Sequence, residues 1–315
     1  MTRYLGLDVG GTKVAVRLEG GEGDADAPYE TAFRWTRGAD VREDMAALAA
    51  CLDRVRLHAG APVTAAGLAL PVTLDPSGTV LAWPNRPGWT GLDLRSELHR
   101  MLPGTVICHA DDGDLAALAE ARAIGCENLV YLGVGTGIGG GVVLGGRLCP
   151  GPARGSCELG HLVVDRTGAV CDCGRRGCVQ ASASGPAILR RAAVLRGAPV
   201  EYAELCEAWA AGTSWAEAAV DEGCAVLAAA AAGTAELFHQ EVTVIGGGFA
   251  EGLPGFVERV ERHARGLVRP GGPQPRIAAA RPGGLSSLDG AVLLARDSAE
   301  RADSAVVWSR TAAAA

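Results

Sequence analysis

Two stretches of this chain repeat one pattern, and the pattern narrows the folds open to it. Residues 4–18 read as an apolar strand, a turn at Gly10-Gly11-Thr12 and a second alternating strand. Residues 128–146 read as an apolar strand, a turn at Gly135-Thr136-Gly137 and another apolar strand. Alternation on both sides of a glycine turn signals a β-hairpin, with the glycines expected at positive φ. The repeat implies a duplicated α/β architecture.

Composition sets the outer bounds. A length of 315 residues suits two domains or one large α/β unit. Aromatic residues make up only 4%, so the core must be mostly Ala, Val and Leu. The net charge of −7 and the lack of a long basic run argue against a nucleic-acid partner and suit an enzyme. The first apolar segment contains Asp8 and runs into glycines, so it does not read as a signal peptide. The alanine-rich run at 225–232 is too short to span a bilayer, so no membrane is expected. Ten cysteines without a secretory signal are expected to be reduced, metal-bound or buried, and the location cytoplasmic.

Between the hairpins the periodicity predicts a loop at 20–27, a third strand closing at 33–36 and a helix over 41–58. A buried strand follows at 65–71, then a Trp-Pro-rich loop at 83–89, a helix over 93–101, a strand at 105–109 and a helix over 115–124. Asp111, Asp112 and Asp114 fall between that last strand and helix. The carboxyl end of a strand is the usual ligand crevice of an open α/β sheet. Helix capping accounts for one or two of these acids, but three repel one another. Beyond residue 185, helices are predicted at 186–195, 201–210 and 215–238. A strand at 241–249 then ends in Gly246-Gly247-Gly248, where a flat ring can lie on the backbone. Helices at 256–267 and 285–296 close the pattern, and residues from 298 are read as a tail with disordered final alanines.

Cys171, Cys173 and Cys178 lie within eight residues, with Gly174 and Gly177 between the thiols and His161 ten residues upstream. Three thiolates and an imidazole complete a closed tetrahedral shell, the arrangement of a structural zinc site. Free thiols or a disulfide are the plainer alternatives, and this glycine-interrupted spacing suits either poorly. Glu158 precedes His161 by three residues, so a carboxylate stands near a metal-fixed imidazole and could grip a polyol. At the two hairpin turns, backbone N–H groups and a threonine hydroxyl are open to an anion. One such loop is weak evidence, but a pair of them could clamp a polyphosphate.

Taken together, Asp8-x-Gly-Gly-Thr12, Gly133-x-Gly-Thr-Gly137, Glu158-x-Gly-His161 and Cys171-x-Cys-Gly-x-x-Gly-Cys178 resemble the signature of the ROK family of sugar kinases, over about residues 4–296. The resemblance implies a two-domain actin-like ATPase (ribonuclease H-like) α/β fold hinged around a cleft, with the zinc knot in the larger domain. It divides the chain at 1–112 and 113–297, with the last helix returning to the smaller domain. It also implies transfer of phosphate from ATP to the primary 6-hydroxyl of a hexose, with Asp112 as general base. Asp8 would orient Mg2+. Gly10, Gly11, Thr12 and Lys13, with Gly135, Thr136 and Gly137, would face the phosphates, and Gly246, Gly247 and Gly248 would lie near the adenosine. Asp111, Asp112, Glu158, His161 and Gln180 would bind the sugar, and a homodimer is expected. A sugar-sensing repressor of the same family would carry a helix-turn-helix ahead of the first glycine loop, which here begins near residue 4.

The chain also departs from the family pattern. Asp111 and Asp114 stand where the family usually has Asn, and Gln180 stands where it usually has Glu. An aspartate cannot donate a hydrogen bond, so it prefers a cationic or donor-only group. One reading is an aminohexose such as kanosamine (3-amino-3-deoxyglucose), its ammonium paired with Asp111 and Glu158. The other is an ordinary glucokinase in which Asp111 accepts from a neutral hydroxyl.

Overall fold

The structure, a computed structural model, describes residues 2–20, 27–151, 154–274, 276–281, 283–300 and 307–308. Most of the loop expected at 20–27, and the final alanines, lie outside the described residues. The chain divides into two compact units. The first comprises residues 1–115, 151–155 and 285–315, and the second residues 116–150 and 156–284.

In the first unit, β1 (Arg3–Val9) and β2 (Lys13–Gly20) form the expected hairpin, with β3 (Tyr29–Arg34) beyond β2. Helix α1 (Val41–Ala59) opens on a capping box: Asp40 accepts from the Arg42 and Glu43 N–H groups, and Glu43 accepts from the Asp40 N–H. Its periodic face, Met45, Leu48, Leu52 and Val55, is buried. Strand β4 (Ala65–Ala69) pairs parallel with β1. A small ribbon follows, β5 (Thr73–Leu74) with β6 (Val80–Ala82), then a 3-10 turn at Pro87–Trp89 and α2 (Leu94–Met101). Strand β7 (Val106–Ala110) adds parallel to β4, and α3 (Asp112–Ile124) carries the chain into the second unit.

The second unit begins with β8 (Leu129–Val134), β9 (Ile138–Leu144) and β10 (Arg147–Cys149). Its helices are α4 (Val179–Ala183), α5 (Gly185–Arg196), α6 (Tyr202–Ala210) and α7 (Ser214–Phe238). Strand β11 (Val242–Gly246), short α8 (Gly248–Glu251), α9 (Phe256–Arg265) and β12 (Arg276–Ala279) complete it. Helix α7 is long and apolar enough, by length and composition, to cross a membrane, whereas the alanine run alone is too short. Its Val220, Leu227 and Ala231 are buried in the unit's core, which accounts for its apolar character.

The last helix, α10 (Ser286–Glu300), belongs to the first unit and lies across β1, β4 and β7. Strand β13 (Val307–Trp308) pairs antiparallel with β7, where the sequence suggested only a tail. The short strands β5, β6, β10, β12 and β13 offer too few alternating positions to be read from sequence.

The two sheets share one topology. The first runs β13-β7-β4-β1-β2-β3 and the second β10-β9-β8-β11-β12. With the small ribbon and β13 set aside, each reads third, second, first, fourth, fifth strand in chain order. In each, the first, fourth and fifth strands are parallel. The duplicated hairpin is therefore the start of a duplicated sheet.

One expectation fails in an informative way. Gly10 and Gly11 are not at positive φ. Gly11 is required by space: a Cβ there would lie 2.6 Å from Asn85 Cβ. Close approach governs α10 as well, since a Cβ on Gly67 of β4 would sit 2.0 Å from the Ala291 carbonyl oxygen. The helix thus rests directly on the strand backbone. Gly67→Ala is expected to destabilise the fold by about 3 kcal/mol, because backbone atoms must move to admit one methyl. The midpoint of urea unfolding measures this, and a wild-type midpoint would contradict so close a contact.

Candidate active site

In the first unit, acidic groups gather at the carboxyl edge of the parallel strands. Register pairs Asp8 of β1 with Ala69 of β4, and Ala69 with Ala110 of β7. Asp111 and Asp112 follow Ala110 directly, so they leave the same sheet edge as Asp8. Burial raises the pKa of Asp8, and the charge of Asp112 raises it further. A 2.8 Å hydrogen bond from Ser287 Oγ to Asp8 Oδ2, together with the Lys13 charge, opposes the shift. The N-terminus of α10 thus helps to hold Asp8, a role that nothing in the spacing of Ser287 announces.

The three acids after β7 have different surroundings. Asp111 Oδ1 accepts from the Gly113 N–H at 3.0 Å and its carbonyl from Leu115 N–H at 3.1 Å, so Asp111 opens α3 as its cap. Asp112 is the first residue of the helix and half-buried, while Asp114 is buried. Burial pushes His109 down to about 4, so this nearby imidazole is neutral at pH 7.

In the second unit, the Gly135-Thr136-Gly137 turn closes on a 3.0 Å bond from Gly135 N–H to the Gly137 carbonyl. The first residue of α5, Gly185, donates to the Gly135 carbonyl at 2.9 Å. Gly246 pairs in register with Gly133, so the loops at 135–137 and 246–248 leave the same end of neighbouring parallel strands. Gln180 shows an unforeseen contact: its Oε1 accepts from the Ile138 N–H at 3.1 Å, beside Gly137. Its carbonyl is therefore engaged with the second glycine loop.

His161, Cys171, Cys173 and Cys178 bring one donor atom each within 4.8 Å of one another. His161 Nδ1 lies 3.7 Å from Cys171 Sγ, and Cys173 Sγ lies 3.6 Å from Cys178 Sγ. A tetrahedral zinc with Zn–S bonds of about 2.3 Å separates its sulfurs by about 3.7 Å, so these spacings fit. They are far from the ~2.05 Å of a disulfide. Gly174 and Gly177 both adopt positive φ, and a Cβ on Gly177 would meet the Asp165 carbonyl oxygen at 1.4 Å. Glycine is thus demanded between these thiols by conformation and by space. The backbone N–H and side chain of Arg175 draw the Cys173 thiol down to about 6, while burial pushes Cys178 up to about 11. Glu158, exposed, precedes the 3-10 turn Leu159–His161 that carries the imidazole.

A sheet edge bearing paired carboxylates, two glycine-threonine loops and a Cys3His cluster define a class, and comparison with known proteins identifies it. The ROK family pattern matches residues 4–298, and the chain belongs to the ROK family. Among its relatives, a kanosamine kinase of Amycolatopsis mediterranei (strain S699) is 51% identical over 292 residues, spanning 93% of this chain and 95% of that protein. A solved ROK hexokinase from Thermus thermophilus superposes with a TM-score of 0.83 at 34% identity, covering 95% of this chain and 99% of the other. A ROK family glucokinase from Streptomyces griseus, solved with glucose and AMPPNP, gives a TM-score of 0.71 at 27% identity, covering 94% and 99%.

The raised pKa of Asp8 carries a stability consequence. A carboxyl whose folded pKa lies above its unfolded value favours the fold at low pH, and that contribution is lost as pH rises through the folded pKa. Asp8→Asn is therefore expected to raise the thermal midpoint at pH 7 by about 2 °C, with the gain shrinking toward pH 4. Scanning calorimetry at both pH values measures this, and an equal gain at both would contradict it.

Proposed function

We propose that this chain is an ATP-dependent sugar kinase, a phosphotransferase with an alcohol acceptor, and that its preferred substrate is an aminohexose such as kanosamine. The observation that carries the reading is the carboxylate edge. Asp112 opens a helix within electrostatic reach of Asp8, in a chain 51% identical to a kanosamine kinase. The actin-like assignment of the fold agrees with the strand order that both sheets share.

The chemistry follows from the groups available. A sugar hydroxyl is a poor nucleophile at neutral pH, and a carboxylate within hydrogen-bond reach takes its proton as the γ-phosphoryl leaves ATP. We assign that role to Asp112 and the attacking oxygen to the primary 6-hydroxyl. Asp8 offers hard oxygen donors of the kind Mg2+ requires. When bound, Mg2+ neutralises charge on the phosphates. We assign the phosphates to Gly10, Gly11, Thr12 and Lys13 and to Gly135, Thr136 and Gly137, and the adenosine to Gly246–Gly248. Backbone N–H groups suit this task because they stabilise developing charge without reorganising.

On the acceptor side we assign the amino group to Asp111, and the remaining hydroxyls to Glu158, His161 and Gln180. We assign zinc to His161, Cys171, Cys173 and Cys178, as a structural ion that fixes the imidazole through one ring nitrogen and leaves the other to the sugar. The reaction belongs in the cytoplasm, in a homodimer by family resemblance. An ordinary glucokinase is the second reading, favoured by the engagement of Asp111 Oδ1 in helix capping.

An ADP-release assay over glucose, mannose, glucosamine, kanosamine and N-acetylmannosamine tests the proposal. Kanosamine is expected to give the highest kcat/KM, and Asp112→Asn to lower kcat about 10³-fold. Asp111→Asn is expected to move preference toward glucose by about tenfold or more, the worth of a charged hydrogen bond. A kcat/KM for glucose equal to or above that for the aminohexoses would refute the aminohexose reading.

A further inference from the structure

The Trp-Pro-rich loop at 83–89 has no part in the site described so far, yet its side chains reach the first glycine loop. Asp44 of α1 is 2% exposed and accepts from Arg86 Nη1 and, at 2.8 Å, from Trp89 Nε1. The same guanidinium donates through Nε to the Gly11 carbonyl at 3.1 Å and lies over the Trp35 ring at 4.7 Å. Trp35 in turn donates through Nε1 to the Gly10 carbonyl at 2.8 Å and through its backbone N–H to the Thr12 carbonyl at 3.1 Å. Three successive carbonyls, those of Gly10, Gly11 and Thr12, are thereby drawn toward Trp35 and Arg86.

A trans peptide points its C=O and its N–H to opposite sides. Fixing the Gly10 carbonyl therefore turns the Gly11 N–H away from Trp35, and fixing the Gly11 carbonyl turns the Thr12 N–H away from Arg86. These are N–H groups assigned above to phosphate. The Asn85 side chain closes on Gly11 Cα and leaves no room for a Cβ. The loop is glycine, and so flexible by composition, yet it is held from behind.

We infer that Arg86 and Trp35 are positioning residues for nucleotide binding: anchored on buried Asp44, they aim the backbone N–H groups of Gly11 and Thr12 at the ATP phosphates. Neither side chain touches the phosphates in this role. The inference rests on the assignment of Gly10–Thr12 to phosphate.

Two substitutions separate positioning from plain stability. Arg86→Lys keeps a cation opposite Asp44 but lacks the planar fork that reaches Asp44 and Gly11 together. Trp89→Phe removes the other donor to Asp44 and leaves the Gly11 contact in place. Thermal midpoints and the KM values for ATP and for sugar are measured for both. Arg86→Lys is expected to raise KM for ATP about tenfold, the worth of one charge-assisted hydrogen bond, with the sugar KM within about twofold of wild type. Trp89→Phe is expected to lower the thermal midpoint at least as much while its KM for ATP stays within about twofold of wild type. If Arg86→Lys does not fold, Trp35→Phe, which removes the indole donor to Gly10 while keeping an aromatic ring beneath Arg86, is expected to raise KM for ATP by about fivefold. A wild-type KM for ATP in folded Arg86→Lys or Trp35→Phe would overturn the inference, as would an equal rise in Trp89→Phe. Wild-type protein that releases no ADP with any sugar would instead bring down the phosphate assignment, and the inference with it.

Discussion

Burial at a sheet edge raises the pKa of Asp8, and Asp112 is held close enough that its charge raises it further. A fold does not gather like charges to make itself stable. It does so where a cation or a proton is to be handled, and a sugar kinase handles both. Much of the first unit can be understood as support for that edge. Three parallel strands bring the two aspartates to the same side. Helix α10 is pressed onto β4 at Gly67 and places the Ser287 hydroxyl on Asp8. Lys13, just past the glycine turn, offsets part of the repulsion.

The support behind the glycine turn carries its own cost. Asp44 is almost fully buried, and its carboxylate is partnered by Arg86 and Trp89. Breaking such a pair by removing one partner typically costs about 3–5 kcal/mol, because the other charge is left without compensation. A chain that needed only stability could place apolar groups here at less risk. The pair instead fixes a guanidinium between a tryptophan ring and the Gly11 carbonyl. In the second unit a side chain plays a comparable part, with Gln180 accepting from Ile138 just past the second glycine turn.

Some of this was legible in the sequence, for physical reasons. Apolar strands flanking glycine turns have an unmistakable period, so both hairpins were found, and with them the duplication that the shared strand order displays. Three closely spaced cysteines with glycines between them and one upstream histidine can meet only within a small volume, and their donor atoms do converge. The ROK family was legible from those same motifs. Other features were not. The hairpin pattern points to positive φ at the first turn, whereas Gly11 is needed there for space, because the residue that crowds it is Asn85, distant in sequence. The same holds for Ser287 on Asp8, for Arg86 on Gly11 and for Gln180 on Ile138. Each contact is set by the packing of remote segments and leaves no local period. Helix α3 begins at Asp112, three residues before its apolar pattern starts, because Asp111 supplies the cap.

The proposed chemistry centres on one step, activation of the primary hydroxyl of an aminohexose at the edge bearing Asp112. The most direct test is the product itself. After incubation of the protein with ATP, Mg2+ and kanosamine, a proton–phosphorus correlation spectrum locates the new phosphate. The account predicts a phosphomonoester resonance coupled to the two protons on C6. Coupling to a ring proton would contradict the assigned acceptor, and the absence of any sugar phosphate would contradict the claim as a whole.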